Sequence, residues 1–538
     1  MPTDCLPFKD TGYFSKLILD YLAESDQLKS FYNRFPKLEN FKQQIKDKQT
    51  EFDTKTRTIL AETLVKQYKS HDVSLQTLNN IEALRNPNTF TITTGHQLNL
   101  FTGPLYFLYK IISTINLTKN LKATYPEYNF VPVYWMATED HDFEEINYFN
   151  FNGKKLRWNK SAAGPVGELH TNGLEDVFNV FSQELGLGKN ADTLRQWFKT
   201  AYLEHDNLAQ STLYLANQLF KDTGLVIIDA NHKDLKQCFA PFVKKELFEQ
   251  TSYKTVSKTN LELEQTSQDY KIQVNPREIN LFYINDNLRE RIVFEDNTYS
   301  VLNTKITWTK AQLEEEVNNY PERFSPNVIL RPLYQEVILP NLCYIGGGGE
   351  LAYWFQLKEN FAQNNVAFPI LLLRNSVLLK TKQQVKKLEK LNISTQTLFL
   401  KRDTFINKRV REISNIDIDF SPQIKHLKKQ FEALYQIAEQ TDKSFLGAVD
   451  AQRRKQIKGL EHLEKRLLTA QKRKLKDHIE RITDLQNQLF PNQSLQERSV
   501  NFSQFYLEYG DKLIKQLIQN LEPLNAQFLI LQLEDNHA

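Results

Sequence analysis

The sequence predicts an α/β chain built on a Rossmann-like parallel sheet core and continued by a long α-helical coiled coil. Three observations carry this expectation. Within residues 89–149 a β-branched run, an amphipathic helix and a second apolar run follow one another as a βαβ unit whose polar residues fall at strand C-termini. Short apolar runs at 225–229 and 368–373 read as further buried strands. Beyond Val377 the texture turns to Lys, Gln, Glu and Leu, with apolar residues at spacings of three and four.

Length and composition set the frame. A chain of 538 residues predicts two or three domains. With 41% hydrophobic and 25% charged residues it belongs with globular, water-soluble chains. The 68 basic against 65 acidic residues leave a net charge of +3, which calls for neither a nucleic-acid nor a membrane partner. Cys5, Cys238 and Cys343 lie far apart without a CxxC, so separate reduced thiols are expected. The start MPTDCLPFKDTGYF lacks a basic stretch followed by an apolar one, and no apolar run reaches the ~20 residues of a membrane span. A cytoplasmic location is the expectation.

Taken in order, residues 12–85 read as helices that cover the sheet, broken by Asn86-Pro87-Asn88 before the first strand. Residues 89–94 form that strand, ending on Gly95-His96-Gln97. After Gly103-Pro104 a helix places Leu105, Leu108, Ile111, Ile112 and Ile115 at helical spacing. The run 131–137 then ends in Glu139-Asp140-His141-Asp142. Residues 1–148 thus make the first half of the core. Residues 149–205 read as a small inserted subdomain, turn-rich and β-rich over 147–188 from Gly153, Gly164-Pro165, Gly167 and Gly173, with a helical pattern returning at 194–220. Residues 206–376 form the second half, with an inserted hairpin region at about 260–320 turning at Asn285-Asp286-Asn287. Within it, 328–332 reads as a strand, 342–345 as a strand leading into four glycines, and 351–361 as a helix. Residues 377–490 form the coiled coil, with a phase slip between Ala470 and Leu475. Its lysines and arginines are interleaved with Glu461, Glu464, Asp477 and Glu480, as on a solvated face. Residues 491–538 pack back on the core.

Two polar turns and one glycine run carry the candidate chemistry. Thr94-Gly95-His96-Gln97 lies between strand and helix, where backbone N–H groups can hold phosphate or carboxylate; an ordinary βα turn is an equal reading. Gly103 precedes the helix. Glu139, Asp140, His141 and Asp142 crowd three carboxylates and an imidazole into four residues, suited to Mg²⁺, a general base or a substrate ammonium, with helix capping as the bland alternative. Asp140, His141 and Asp142 are the catalytic candidates. Gly346, Gly347, Gly348 and Gly349 with Glu350 follow Tyr344; such a run among only 17 glycines demands unusual torsions or close approach. Arg331 and Arg374, the latter beside Asn375, could clamp a carboxylate or phosphate, or form structural ion pairs. Cys343 lies near this site.

The motifs TTGHQLNLFTGPLYFLYKIIS, VPVYWMATEDHDFEEIN, NVILRPLYQEVILPNLCYIGGGGELAYWFQLK, FPILLLRNS and LQERSVNF, in this order, resemble the cysteine-adding ligase family of bacillithiol biosynthesis. The likeness spans nearly the whole chain, from Tyr13-Phe14 to Gln496-Glu497-Arg498. The family pattern more often has glutamine at position 96 and a proline among positions 346–349; the first departure argues against His96 as an essential acid. The resemblance implies a core related to nucleotidyltransferase and class I synthetase folds, with inserted subdomains, and a coiled coil that supports a homodimer. It also implies addition of L-cysteine to the amine of glucosaminyl-malate. Amide formation needs an activated carboxylate, so ATP or another nucleotide, with or without Mg²⁺, is an expected cosubstrate. The matching segment brings Arg498 into the set of binding candidates. Rival readings are an adenylate-forming ligase or nucleotidyltransferase with another substrate, and a non-catalytic coiled-coil binding protein.

Overall fold

The computed structural model describes residues 3–69, 71–441 and 443–534; residues 1–2 and 535–538, the outer ends of two predicted segments, lie outside it. It divides into two compact units, Met1–Lys380 with Leu495–Ala538, and Thr381–Ser494. Among the described residues no helix is long and apolar enough to cross a membrane.

The first unit is organised by a parallel sheet of five strands: β1 (Thr89–His96), β2 (Asn129–Met136), β3 (Val226–Asp229), β4 (Asn341–Gly346) and β5 (Ile370–Leu373). Their spatial order is β5-β4-β1-β2-β3, with every pairing parallel. The chain grows outward from β1 through β2 to β3, then returns to the other side of β1 for β4. That reversal places the switch point of a Rossmann-like sheet between β1 and β4, the crevice in which such sheets bind ligands. Both strands read as fully buried, and Phe90, Ile92, Leu342, Cys343 and Ile345 enter one core with Phe41 and Ile45 of helix α1 (Leu38–Glu51). The long helix α2 (Tyr106–Thr124) follows β1 and is buried along most of its length. The shorter helices α3 (Arg331–Ile338) and α4 (Gly348–Trp354) flank β4.

Three expectations are corrected here. Residues 328–332 are not a strand. The Asn327 side chain accepts from the Ile329 and Leu330 N–H groups at 2.9 and 3.3 Å, Arg331 N–H donates to Asn327 O, and α3 starts with Pro332 in its first turn. An Asx-type start followed by proline at a helix entrance outweighs the apolar run. The stretch 147–188 is β only in the ribbon Tyr148–Phe151 with Lys154–Arg157 and then turns helical, while the helical pattern expected from 194 is present. Leu174, Val177 and Phe181, and then Ala191, Leu194 and Phe198, bury one face each of helices Leu174–Glu184 and Lys189–Leu203. Val377–Lys380 is a strand, not the start of the coiled coil; it pairs in parallel with Gln527–Gln532, which pairs antiparallel with Thr3–Pro7. The inserted region at 281–326 forms a second, antiparallel sheet of five strands that includes the Asn285–Leu288 turn.

The second unit is helical. Helix α5 (Ser421–Ala438) and helix α6 (Lys443–Lys474) pack antiparallel, as shown by Tyr435 donating to Asp450 at 2.6 Å and Phe420 N–H donating to Glu464 at 3.2 Å. Phe431, Ala438 and Val449 form the buried seam. The phase slip near 470–475 appears as a break at Leu475, before helix α7 (Lys476–Leu489).

Candidate active site

The C-terminal edge of the parallel sheet opens into a cavity of about 470 Å³. Its floor is the end of β1 (Gly95, His96, Gln97) and the side chain of Tyr344 from β4. Helix α2 contributes Tyr106 and Lys110, the β2 end contributes Trp135 through Asp140, and the antiparallel sheet contributes Arg289 and Pro326. Ala230, Asn327, Val328, Arg331, Gly347, Gly348, Gly349, Glu350, Tyr353, Arg374 and Arg498 complete the wall.

The seam between β1 and β4 is tied by polar groups. Thr94 Oγ1 donates to Ile345 O at 2.7 Å. Lys110 Nζ donates to Gly95 O at 2.7 Å and pairs with Glu350 Oε2 at 2.6 Å. Glu350 also accepts from Tyr344 OH at 2.7 Å and from the Gly347 N–H at 2.8 Å. Burial alone would raise the Glu350 pKa, but Lys110 and these donors bring it below the usual carboxylate value. Burial lowers that of Lys110 against the pull of Glu350. The Gly347 N–H is therefore already occupied by Glu350, while Gly348 and Gly349 line the cavity at the start of α4.

The torsional expectation for the glycines is also corrected, since none of the four takes a positive φ. Close approach holds for Gly346, where a Cβ would stand 2.9 Å from Tyr344 Cε1; at Gly349 nothing lies within 4 Å. The glycines thus leave room at the start of α4 while keeping Tyr344 against the strand end.

The cations divide into committed and uncommitted. Arg374 donates to Glu497 Oε1 at 2.8 Å, with side chains 5% and 1% exposed, and to Asn375 O and Ser376 Oγ. Glu497 is in turn fixed by the Val377 N–H at 2.9 Å. Arg289 donates to His141 Nδ1 at 2.7 Å and stacks on Phe282 at 3.9 Å from the ring centroid. Arg331 donates to Gln335 Oε1 at 3.1 Å and Tyr353 OH at 3.3 Å, and lies 6.0 and 5.7 Å from the Trp135 and Tyr344 ring centroids. Among the described residues neither Arg331 nor Arg498 forms a carboxylate ion pair.

Of the acidic turn, Glu139 and Asp140 face the cavity. Asp140 accepts from Gln97 Nε2 at 2.9 Å and from the His141 N–H at 2.8 Å. Burial opposes its ionisation, yet the His141 side chain, these hydrogen bonds and Arg289 hold its pKa well below the usual carboxylate range. It is an anion, and a poor proton acceptor. Glu139 is paired with Lys236. His141 and Asp142 are exposed and outside the cavity lining, although His141 Nδ1 stands 3.7 Å from Asp140 Oδ1, so the three catalytic candidates do not all face the cavity. Among the described residues no three His, Cys, Asp or Glu side chains are grouped to hold a metal.

His96 lines the cavity but is buried, packed edge-on against Tyr106 at 5.3 Å, and its Nε2 has no hydrogen-bond partner. Burial, aided by Lys110, lowers its pKa to about 3, so it cannot serve as an acid near neutrality. Cys343 is buried in the core and burial pushes its thiol pKa well up, which removes it as a nucleophile. Thr94 and Gly346 lie beneath the floor and do not line the cavity. Gly103, at φ 64°, serves a turn whose carbonyl accepts from Asn501 Nδ2 at 2.6 Å. Asn375 is bonded to Ser113 and to Glu522 O, away from the cavity.

Sequence reasoning passed over Lys110, Tyr106, Arg289 and Tyr353. Lys110 did leave a signal, the one charge in the apolar first half of α2, one turn from Tyr106. Arg289 left none, because it reaches the cavity from a separate sheet.

Two family models match the chain: Bacillithiol biosynthesis BshC, N-terminal Rossmann-like domain, over residues 1–375, and the C-terminal coiled-coil domain of the same family over residues 377–533. A relative from Flavobacterium johnsoniae, named "Putative cysteine ligase BshC", is 60% identical over 531 residues, covering 99% of this chain and 100% of its own. Relatives of the same name from Christiangramia forsetii (58% identical, 99% of each chain covered) and Cytophaga hutchinsonii (38%, 96% of each) align comparably. A solved structure described as a "putative arginyl t-RNA synthetase" from Campylobacter jejuni aligns with 84% of this chain and 98% of its own at 11% identity, but its TM-score of 0.20 carries no argument.

Proposed function

The chain belongs to the BshC family of bacillithiol biosynthesis, and from that premise we propose that it is the ligase that joins L-cysteine to the glucosamine amine of glucosaminyl-malate. The observation that supports this most directly is the charge layout of the switch-point cavity. Five cations (Lys110, Arg289, Arg331, Arg374, Arg498) line it with three carboxylates (Glu139, Asp140, Glu350), and the Arg331 and Arg498 guanidiniums have no acidic partner among the described residues. A malyl group brings two carboxylates, and guanidinium forks match carboxylates in both charge and geometry. Arg331 and Arg498 take those carboxylates. Asp140, ionised and hydrogen-bonded to Gln97, takes the cysteine ammonium.

In the bond-forming step the glucosamine amine attacks the cysteine carbonyl carbon, the new C–N bond forms, and the activated oxygen leaves as phosphate or nucleotide. Activation consumes a nucleotide, which enters as a cosubstrate, and any accompanying Mg²⁺ needs only one or two carboxylates beside the phosphate oxygens. The low pKa of Asp140 makes it an electrostatic anchor for the ammonium and leaves proton removal to solvent or to the departing phosphate. Preorganised charge of this kind stabilises the reacting groups without rearrangement.

Thiol analysis of a strain lacking the gene tests the proposal. Accumulation of glucosaminyl-malate with loss of bacillithiol, restored by the wild-type gene, is expected; an unchanged thiol pool rejects it.

A further inference from the structure

A closed polar system lies beneath the β1–β4 seam, outside the cavity. Lys48 of α1 and Glu336 of α3 form an ion pair at 3.5 Å with side chains 2% and 0% exposed. Glu336 Oε1 accepts from Asn341 Nδ2 at 2.6 Å and from Gln335 Nε2 at 2.9 Å. Asn341 Oδ1 accepts from Thr91 and Thr93 hydroxyls at 3.2 and 2.9 Å. Burial raises the Glu336 pKa, and Lys48 with the Asn341 and Gln335 amides offsets part of that rise.

Such a pair is a weak device for stability, because well-packed apolar side chains of similar volume often do as well. Its hydrogen-bond polarity, however, has a consequence at the cavity. Asn341 and Gln335 both present amide N–H groups to Glu336 Oε1, which accepts from each. Glu336 therefore takes the NH₂ end of Gln335, and the amide oxygen must point the other way. That oxygen accepts from Arg331 at 3.1 Å. The other guanidinium nitrogen is held by Tyr353 OH at 3.3 Å. The cation is thereby fixed by neutral acceptors that leave its charge unspent.

We infer that Gln335, oriented by the buried Lys48–Glu336 pair, is a positioning residue that aims Arg331 at a substrate carboxylate. The inference rests on the proposed role of Arg331 in holding the malyl group. A carboxylate at position 335 would neutralise Arg331, and an apolar residue would free its side chain; only an amide held in one orientation does neither.

Steady-state kinetics of the full-length protein test this with Arg331→Lys, Gln335→Met and Glu336→Gln. Losing one hydrogen bond to a charged group predicts that Gln335→Met raises KM for glucosaminyl-malate roughly 10-fold, with kcat and the KM for cysteine within about 2-fold. L-Malate used alone as a competitive inhibitor should lose affinity by the same factor. Gln335→Met keeps the Lys48–Glu336–Asn341 contacts, so it carries the test even if Glu336→Gln fails to fold. An unchanged KM in Gln335→Met, while Arg331→Lys raises it, overturns the positioning role. Equal rises for both substrates, or a fall in kcat alone, assign Gln335 a merely structural role and also overturn it. An unchanged KM in Arg331→Lys removes the carboxylate reading of Arg331, and the positioning inference falls with it.

Discussion

Replacing Lys110 by methionine removes one charge from the seam on which the cavity is built, with little change in side-chain length. Lys110 Nζ lies 2.6 Å from Glu350 Oε2 and 2.7 Å from Gly95 O, and the two side chains are 5% and 26% exposed. Breaking a fully buried pair by removing one partner costs about 3–5 kcal/mol. Here Glu350 retains the Tyr344 hydroxyl and the Gly347 N–H, and its partial exposure admits solvent screening. The expected loss is therefore about 2–3 kcal/mol. Glu350→Gln added to Lys110→Met neutralises the stranded acid, so the double variant should recover about 1 kcal/mol relative to additivity. Urea unfolding followed by tryptophan fluorescence reads this, because Trp135 and Trp354 are both buried in the unit that holds the sheet. Two units imply that a single transition should not be assumed, and the transition reporting these tryptophans is the relevant one. A loss below about 0.5 kcal/mol, or strict additivity in the double variant, would refute the coupling of Lys110 with Glu350.

Four further outcomes are expected. The folded state holds His96 neutral, with a pKa of about 3 against an ordinary 6.5, so between those values the unfolded chain binds a proton that the folded chain refuses. Stability then falls as pH drops from 6.5 towards 3, by at most about 4–5 kcal/mol, and His96→Gln should flatten that part of the pH–stability curve; an unaltered curve contradicts a buried neutral imidazole. Gly346→Ala must displace Tyr344 or Glu350, since its Cβ would lie 2.9 and 3.1 Å from their atoms, whereas Gly349→Ala meets open space; kcat/KM should fall in the first variant, and the second should keep the wild-type melting temperature. Asp140→Asn should raise KM for cysteine, while Asp142→Asn, outside the cavity, should leave turnover unchanged; the reverse order would sink the placement of the ammonium. Phe431→Ala opens the seam of the helical hairpin and should destabilise that unit by about 3–4 kcal/mol, visible as an earlier loss of far-UV ellipticity with the sheet-containing unit unaffected.

The sheet-forming stretches were readable where pattern and burial agree. The β-branched run of β1, the helical spacing of α2 and the apolar run of β5 each match their elements, because a buried parallel strand or a long amphipathic helix leaves a local signature. The adjacency of the Gly95–Gln97 turn and the glycine run was not local. It follows from the crossover that returns the chain to the far side of β1 after β3. The run Val328-Ile329-Leu330 misled because three apolar residues fit a strand or a buried turn equally well, and Asn327 decides between them through side-chain hydrogen bonds. Arg374 read equally as an anion clamp or a structural ion pair, and Glu497, over a hundred residues later, decides for the pair. Charge in a motif names the chemistry available; only the fold assigns which charges remain unspent.

The most direct measurement of the central claim supplies purified protein with glucosaminyl-malate, isotopically labelled cysteine and ATP, and follows labelled bacillithiol by mass spectrometry. The switch-point cavity predicts label in the amide-linked product from the wild-type chain. In Arg331→Ala it predicts a raised requirement for glucosaminyl-malate without a raised requirement for cysteine. Product formed by Arg331→Ala with wild-type dependence on both substrates, or no labelled product from the wild-type protein, would contradict it.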